Sequence, residues 1–261
     1  MNKKIIDLVF MSEKRKKLLL FMKDGPKSMD EIEESLLVDS ISILPQLKKL
    51  KERSLVSQEG REYKLSLIGR VIAERMRPLV DTVDVLEKNF DYWAQRDLEG
   101  VPHFLRERLG DLKNCKLVRP DLNHMFELNP EFVENLSLSK QVMGCASYFN
   151  PAFPPLYIEL AKKGTEIYFV LTEPVLRRFQ TDYREDMSAL LGLENVNIFL
   201  FPEELKLAGL TVTDRFLLLA LSPEGRYFDH ESLISFEQEA LNWGRELFLH
   251  MQKEAVRVRE I

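Results

Sequence analysis

Helical spacing of apolar residues dominates the first fifty positions. Met11, Leu18, Leu19 and Met22 fall on one side of a segment that Ser12 can cap, which predicts a helix to about Lys23, ended by Gly25-Pro26. Ser28-Met29-Asp30-Glu31 has the capping-box pattern and opens a short helix carrying Ile32, Leu36 and Leu37. After a turn through Val38 and Asp39, Ile43, Leu47 and Leu50 predict a third helix, with Ser42, Gln46, Lys49 and Arg53 on its outward side. Proline is cheap only in the first turn, so Pro45 sets the start of that helix no earlier than about Ser40, with Ser40 or Ser42 as N-cap. The period then changes: Leu55-Val56-Ser57-Gln58 and Glu62-Tyr63-Lys64-Leu65 read as strands around a Glu59-Gly60-Arg61 turn.

From Ser66 to about Trp93 a long helix is expected. Ile72, Met76, Leu79, Val83, Leu86, Phe90 and Trp93 recur at spacings of four and three, a heptad stripe that must be covered. Two covers are open: the stripe packs on its own chain, or it pairs with a second copy to make a homodimer, for which Ile72, Met76, Leu79, Val83, Leu86 and Phe90 are the candidate dimerisation residues. Pro78 should kink or restart this helix near Arg77.

Beyond Gly100-Val101-Pro102, strands and helices alternate. Candidate strands are Cys115–Val118, Val142–Tyr148, Glu166–Leu171, Val196–Phe201 and Phe216–Leu221, with a shorter one at Leu210–Thr213. Helices between them end at Gly164 and Gly192, and a last helix opens at the capping-box pattern Ser235-Phe236-Glu237-Gln238. The alternation predicts an α/β domain with a mixed, partly parallel sheet. The expected organisation is a winged helix-turn-helix over 1–80, a linker helix over 66–97 that overlaps it, and an α/β sensor or regulatory domain over 98–261.

Charge sharpens this division. The 261 residues carry a net charge of −5. Residues 1–80 hold 17 Lys and Arg against 12 Asp and Glu, a net of +5, whereas residues 81–261 hold 20 against 30, a net of −10. A basic first third with the order helix, helix, helix, hairpin predicts binding to double-stranded DNA, the third helix entering the major groove and the hairpin meeting flanking backbone. Ser42, Gln46 and Lys49 are the candidates at base edges, Lys48, Lys51, Arg53, Arg61 and Lys64 those at phosphates, and Ser40 is a further candidate for contact with DNA. The rival reading is a protein-interaction module that uses the winged helix as a scaffold and binds no DNA.

Ile43-Leu44-Pro45-Gln46-Leu47-Lys48-Lys49-Leu50-Lys51, then Leu55-Val56, then Tyr63-Lys64-Leu65-Ser66-Leu67-Ile68-Gly69 resemble the winged-helix transcriptional regulators of methanogenic archaea. Those proteins are ArsR-like at the N-terminus and carry a methanogenesis-regulator-type middle domain. Asn129-Pro130-Glu131-Phe132, Pro154-Pro155-Leu156, Thr172-Glu173-Pro174-Val175, Val212-Thr213-Asp214-Arg215-Phe216 and Trp243-Gly244 extend the resemblance along the chain. It implies transcriptional regulation and promoter binding as a dimer. This chain departs from many relatives in having Ser54 where they carry glycine.

In open α/β sheets ligands sit beyond strand carboxyl ends, which points to Tyr148, Asn150 and Phe153, to Thr172 and Glu173, and to Asp214 and Arg215 as candidates for an unknown small-molecule effector. No cofactor is expected, because neither a G-x-G-x-x-G nor a Walker loop is present. No catalytic motif stands out either. The α/β region resembles half of a phospholipase-D-like phosphodiesterase, yet none of His103, His124, His230 and His250 is followed two residues later by lysine. Cys115 and Cys145 are expected on neighbouring strands as buried thiols, and a metal or redox sensor built on them is a minor alternative. With no signal-peptide core or membrane-length apolar run, the expected location is cytoplasmic.

Overall fold

The computed structural model describes residues 4–120, 127–225 and 229–259. They form two compact units, 1–81 and 82–261.

The first unit holds α1 (Ile5–Phe10), α2 (Glu13–Phe21), β1 (Lys27–Ser28), α3 (Met29–Leu36), α4 (Ser40–Glu52), β2 (Val56–Glu59), β3 (Glu62–Leu65) and the first part of α5 (Leu67–Lys88). Helix α1 and strand β1 were not expected. The capping box forms as read: the Glu31 N–H donates to Ser28 Oγ at 3.2 Å, and the Ser28 N–H donates to Glu31 Oε2 at 2.7 Å. The Ser28 N–H, and after it the Ser28 hydroxyl at 2.9 Å, hold the Glu31 carboxyl below its ordinary pKa. Leu18, Leu19, Ile32, Ile43, Leu47 and Leu50 make the centre of the core, which the hairpin closes through Leu55, Tyr63 and Leu65.

Helix α4 corrects the cap assignment. Its N-cap is Asp39, whose Oδ1 accepts the Ser42 N–H at 2.7 Å, so Ser40 and Ser42 lie inside the first turn. Pro45 therefore stands in the second turn, where a ladder bond to the Ile41 carbonyl is lost. Ile41 is 86% exposed, so water can take that bond. The helix ends with two crossed bonds, Leu55 N–H to the Leu50 carbonyl at 2.9 Å and Ser54 N–H to the Lys51 carbonyl at 2.9 Å. That pattern requires a left-handed residue, and Ser54 supplies it at φ 54°. Ser54→Gly is expected to raise the stability of the first unit by about 1 kcal/mol by removing the Cβ penalty; equal urea midpoints for the two proteins would contradict this.

Helix α5 continues through Pro78 and stops at Asn89, so the expected run to Trp93 is broken, and Phe90–Trp93 forms a separate short helix, α6. The second unit continues with α7 (His103–Arg106), β4 (Lys116–Val118), α8 (Pro130–Ser137), β5 (Gln141–Ala146), α9 (Phe153–Lys162), β6 (Glu166–Leu171), α10 (Glu173–Asp182) and α11 (Arg184–Leu191). There follow β7 (Val196–Leu200), β8 (Gly209–Thr213), β9 (Leu217–Ala220), β10 (Ser232–Ser235), α12 (Gln238–Glu254) and β11 (Val256–Val258). They build one eight-stranded sheet in the order β11-β7-β6-β5-β8-β9-β10-β4. Strands β5, β6 and β7 are parallel and every other pairing is antiparallel, so the sheet is mixed and partly parallel.

Side chains alternate between the two faces of that sheet. One face carries Leu210, Val212, Leu217, Leu219 and Leu233 and packs on α12 through Trp243, Leu247 and Phe248. The other carries Val142, Ile167, Phe169, Ile198 and Ile234 and packs on α8, α9, α10 and α11. Ser235 corrects the expected capping box: it belongs to β10, its Oγ accepts the Glu237 N–H at 3.2 Å, and α12 begins at Gln238 with no side-chain cap.

Candidate functional site

The exposed face of α4 is rotated by about one position from the expected one. Ile41, Leu44, Pro45, Lys48 and Lys49 face outward, whereas Ser42, Gln46 and Arg53 are half-buried. The cause is local bonding. Ser42 Oγ donates to the Asp39 carbonyl at 3.0 Å, and Gln46 Oε1 accepts from Arg15 Nη1 at 2.6 Å. Arg15 is itself buried, and its Nε donates to the Leu8 carbonyl. Gln46 thus arrives with one carbonyl lone pair occupied and one free, together with its amide N–H groups.

Sequence reasoning missed the apolar part of this surface. Leu37, which ends α3 in the left-handed region at φ 52°, is 91% exposed, and Ile41 and Leu44 continue the patch along α4. An exposed leucine in a strained backbone position is unusual enough to mark a surface. The period-based reading counted Leu37 with the apolar side of α3 and could not see that the helix ends before it.

Beside α4, β2 and β3 pair with Glu59 opposite Glu62, so Gly60 and Arg61 alone form the turn, with Gly60 at φ 59°. Arg61 is exposed at the tip between the two glutamates. Lys64 pairs with Glu59, and Lys51 donates to Gln58 Oε1 at 2.8 Å. Of the expected phosphate ligands, Lys48 and Arg61 therefore stand out into solvent, as does Lys49, expected at a base edge, while Lys51 and Lys64 are braced along the hairpin.

The heptad stripe divides. Met76 is buried and Ile72 half-buried in the core of the first unit, while Leu86 packs on the core of the second. Leu79, Val83 and Phe90 are 53%, 41% and 66% exposed.

The candidate effector residues also divide. Tyr148, Asn150 and Phe153 line one cavity of about 530 Å³ on the α8–α10 side of the second sheet. Its floor is made by small side chains: Gly144 and Ala146 from β5, Gly209 and Thr211 from β8, Ala220 from β9 and Ser232 from β10. Register brings them together, since Gly144 lies opposite Thr211, Ala146 opposite Gly209, and Gly209 opposite Ala220. A Cβ on Gly144 would meet the Phe169 ring at 2.9 Å, so glycine there lets that ring stand in the wall.

Asp214 and Arg215 are elsewhere, which corrects the expected grouping. Strand β8 runs antiparallel to β5, so its carboxyl end lies at the amino end of β5, where Asp214 Oδ1 accepts the Lys140 N–H at 2.9 Å. Glu173 pairs on the surface with Arg177 at 2.6 Å, and Thr172 is buried at the start of α10, neither of them lining the cavity.

Cys115 and Cys145 are not on neighbouring strands. Cys115 precedes β4 at one edge of the sheet, and β4 is separated from β5 by three strands. Both thiols are buried, and burial pushes Cys115 up to about 11 and Cys145 further still. A redox switch needs the opposite, an exposed thiol of depressed pKa. Among the described residues no helix is long and apolar enough to cross a membrane.

Comparison with known proteins places these two units. Residues 3–84 match the N-terminal domain of the methanogenesis regulatory protein FilR1, and residues 125–254 match its middle domain. The FilR1 of Methanothrix harundinacea (strain 6Ac) is 25% identical over 242 residues, an alignment covering 91% of this chain and 54% of the relative. The chain therefore spans about half the length of that relative. Among solved structures, the archaeal chromatin protein TrmBL2, described as showing a novel mode of DNA binding, aligns over 94% of both chains at 12% identity and a TM-score of 0.43. NucT from Helicobacter pylori aligns over 56% of this chain and 99% of its own at 12% identity and a TM-score of 0.42. Likeness at that level carries no argument about function. The two domain matches do: the chain belongs to the family of the methanogenesis regulatory protein FilR1, a family named for a regulator and not for an enzyme.

Proposed function

We propose that the chain is a transcriptional regulator that binds double-stranded DNA as a homodimer, with residues 1–80 acting as a winged helix-turn-helix. The observation that carries this reading is the outward face of α4, where Lys48 and Lys49 stand exposed beside a two-stranded wing on a unit of net charge +5. In this reading Lys48, Lys49 and Arg61 meet phosphates. Gln46 and the outer atoms of Ser40 and Ser42 face base edges, and Ile41 and Leu44 meet thymine methyl groups, a contact that apolar side chains make in the major groove. Lys51, Arg53 and Lys64 support the wing and its charge.

The Lys48→Ala, Lys49→Ala double variant tests it. Each phosphate contact contributes about 0.9 to the slope of log K against log salt, so the double variant should lose roughly 2 from the slope measured for wild type. An unchanged slope would remove both residues from the interface.

Exposed Leu79 and Val83, four residues apart on α5, support pairing between two copies along that helix. The paired Leu79→Glu, Val83→Glu substitution is expected to give a monomer in sedimentation equilibrium, with unchanged circular dichroism; a persistent dimer would place the contact elsewhere.

A protein-interaction module is the second reading, favoured by the apolar patch of Leu37, Ile41 and Leu44. Binding through that patch alone would be nearly independent of salt, whereas binding to phosphates would not.

A further inference from the structure

The second unit carries a half-open, mainly apolar cavity of about 530 Å³ among the described lining residues. That volume falls in the usual range of small-molecule sites, about 300–1,000 Å³. It arises by construction. Small side chains adjoin on the face turned away from α12, Gly144 and Ala146, Gly209 and Thr211, Ala220 and Ser232, with Leu218 and Ile234 bounding them, so over that stretch the helices above have little to pack on.

The walls are aromatic and fixed. Phe149 meets Phe179 edge-to-face at 4.9 Å, Tyr157 meets Phe169 at 4.5 Å and 75°, and Tyr148 and Phe153 complete the ring system at 6.4 Å. Burial pushes the Tyr148 and Tyr157 phenols above their ordinary value, as a poorly hydrated lining requires.

Among the described lining residues charge stands at the rim, where Arg119 has a carboxylate partner. Among the described lining residues the full charges are Arg119 and Glu127. Arg119 Nε is 2.7 Å from Glu231 Oε1, and Glu231 Oε2 and Asp229 Oδ2 both reach the buried Arg96 Nη2, at 2.6 and 2.7 Å. Two guanidinium groups thus face two carboxylates, so the charge of Arg119 is already offset by Glu231 at the exposed rim. Between those acids stands His230, a lining residue held at φ 62°. A non-glycine residue in that region costs roughly 1–3 kcal/mol unless its surroundings enforce it, and such strain gathers at ligand clamps.

We infer that this cavity is a binding site for an uncharged, predominantly apolar small molecule, held between the small-residue floor of β5, β8, β9 and β10 and the aromatic wall of α9 and α10. A neutral ligand loses little on leaving water, whereas a charge placed over Gly144 and Ala220 would be desolvated without a partner. The binding step stands on the cavity alone. Only its consequence, that occupancy alters DNA binding, rests on the regulator reading.

A matched pair of dyes tests the inference on the full chain without DNA. N-phenyl-1-naphthylamine is neutral, and 8-anilino-1-naphthalenesulfonate has the same ring skeleton with an added sulfonate. The neutral dye should bind saturably at one site per chain, and the sulfonate about tenfold or more weaker, because its charge finds no partner. Ala146→Leu and Ser232→Leu each extend a side chain into the cavity from a different strand. Either one, if its melting temperature is at or above that of wild type, should weaken the neutral dye by about tenfold or more. The inference is overturned if wild type shows no saturable binding of the neutral dye, or if the sulfonate binds as tightly. A well-folded filled variant that keeps wild-type affinity would overturn it too. A failure of DNA binding would leave these results untouched, and a failure here would leave the α4 reading intact.

Discussion

Gly69→Ala is expected to unfold the first unit under conditions where wild type is fully native. Helix α5 enters against the loop that follows α4: the Ser66 N–H donates to the Leu55 carbonyl at 3.0 Å, and Ser66 Oγ both accepts from the Gly69 N–H at 3.0 Å and donates to the Ser54 carbonyl. A Cβ on Gly69 would lie 1.9 Å from the Leu55 oxygen and 2.9 Å from its carbonyl carbon. Both are backbone atoms of a residue that is completely buried, so no side-chain rotation relieves the clash. Moving α5 away would uncover Ala73 and Met76, and moving Leu55 would break the bonds that end α4. The expected loss is about 3 kcal/mol or more, the upper end for overpacking. A lower-temperature transition assigned to residues 1–81 by hydrogen exchange would register it, and an unchanged melting profile would contradict it.

In the second unit the largest loss is expected from Trp243→Ala. Trp243 is fully buried on α12 and its Nε1 donates to the Leu105 carbonyl at 3.0 Å, tying that helix to α7. Emptying the site should cost about 3–5 kcal/mol. Trp243→Phe fills most of the space and gives up one hydrogen bond. The Leu105 oxygen keeps the Arg108 N–H at 3.0 Å, so the smaller loss is about 1–2 kcal/mol. Urea midpoints of the two variants separate these contributions; equal losses would mean that the hydrogen bond, and not packing, holds α12.

Local signals in the sequence survived into the structure, and signals that depend on distant partners did not. Ser28 and Glu31 are three residues apart and satisfy each other, so their pattern could be read directly. Pro45 could not be read this way. The cap that places it in the second turn is Asp39, and the burial of Ile43, Leu47 and Leu50 holds the helix together across the lost bond. Strand β10 was invisible because all four of its residues are buried, so Ser232, Leu233, Ile234 and Ser235 show no alternation. Its Ser235 instead mimicked a helix cap. The antiparallel turn of β8 carried Asp214 to the opposite end of the sheet from the cavity, whereas the three candidates that follow β5, Tyr148, Asn150 and Phe153, lie beside it. The floor of that cavity is written in sequence only as small residues at alternate positions, Gly144 with Ala146 and Gly209 with Thr211. Pairing of Gly144 with Thr211 and of Ala146 with Gly209, far apart in sequence, turns those two fragments into one surface.

The most direct test of the central claim is the affinity of the full chain for DNA from upstream of its own gene, titrated against salt, with a scrambled duplex of equal length beside it. Contact by α4 and the hairpin predicts tighter binding to the natural duplex and a linear fall of log K with log salt, steep enough for several phosphate contacts at about 0.9 each. Equal affinity for both duplexes, or an affinity that does not respond to salt, would contradict it.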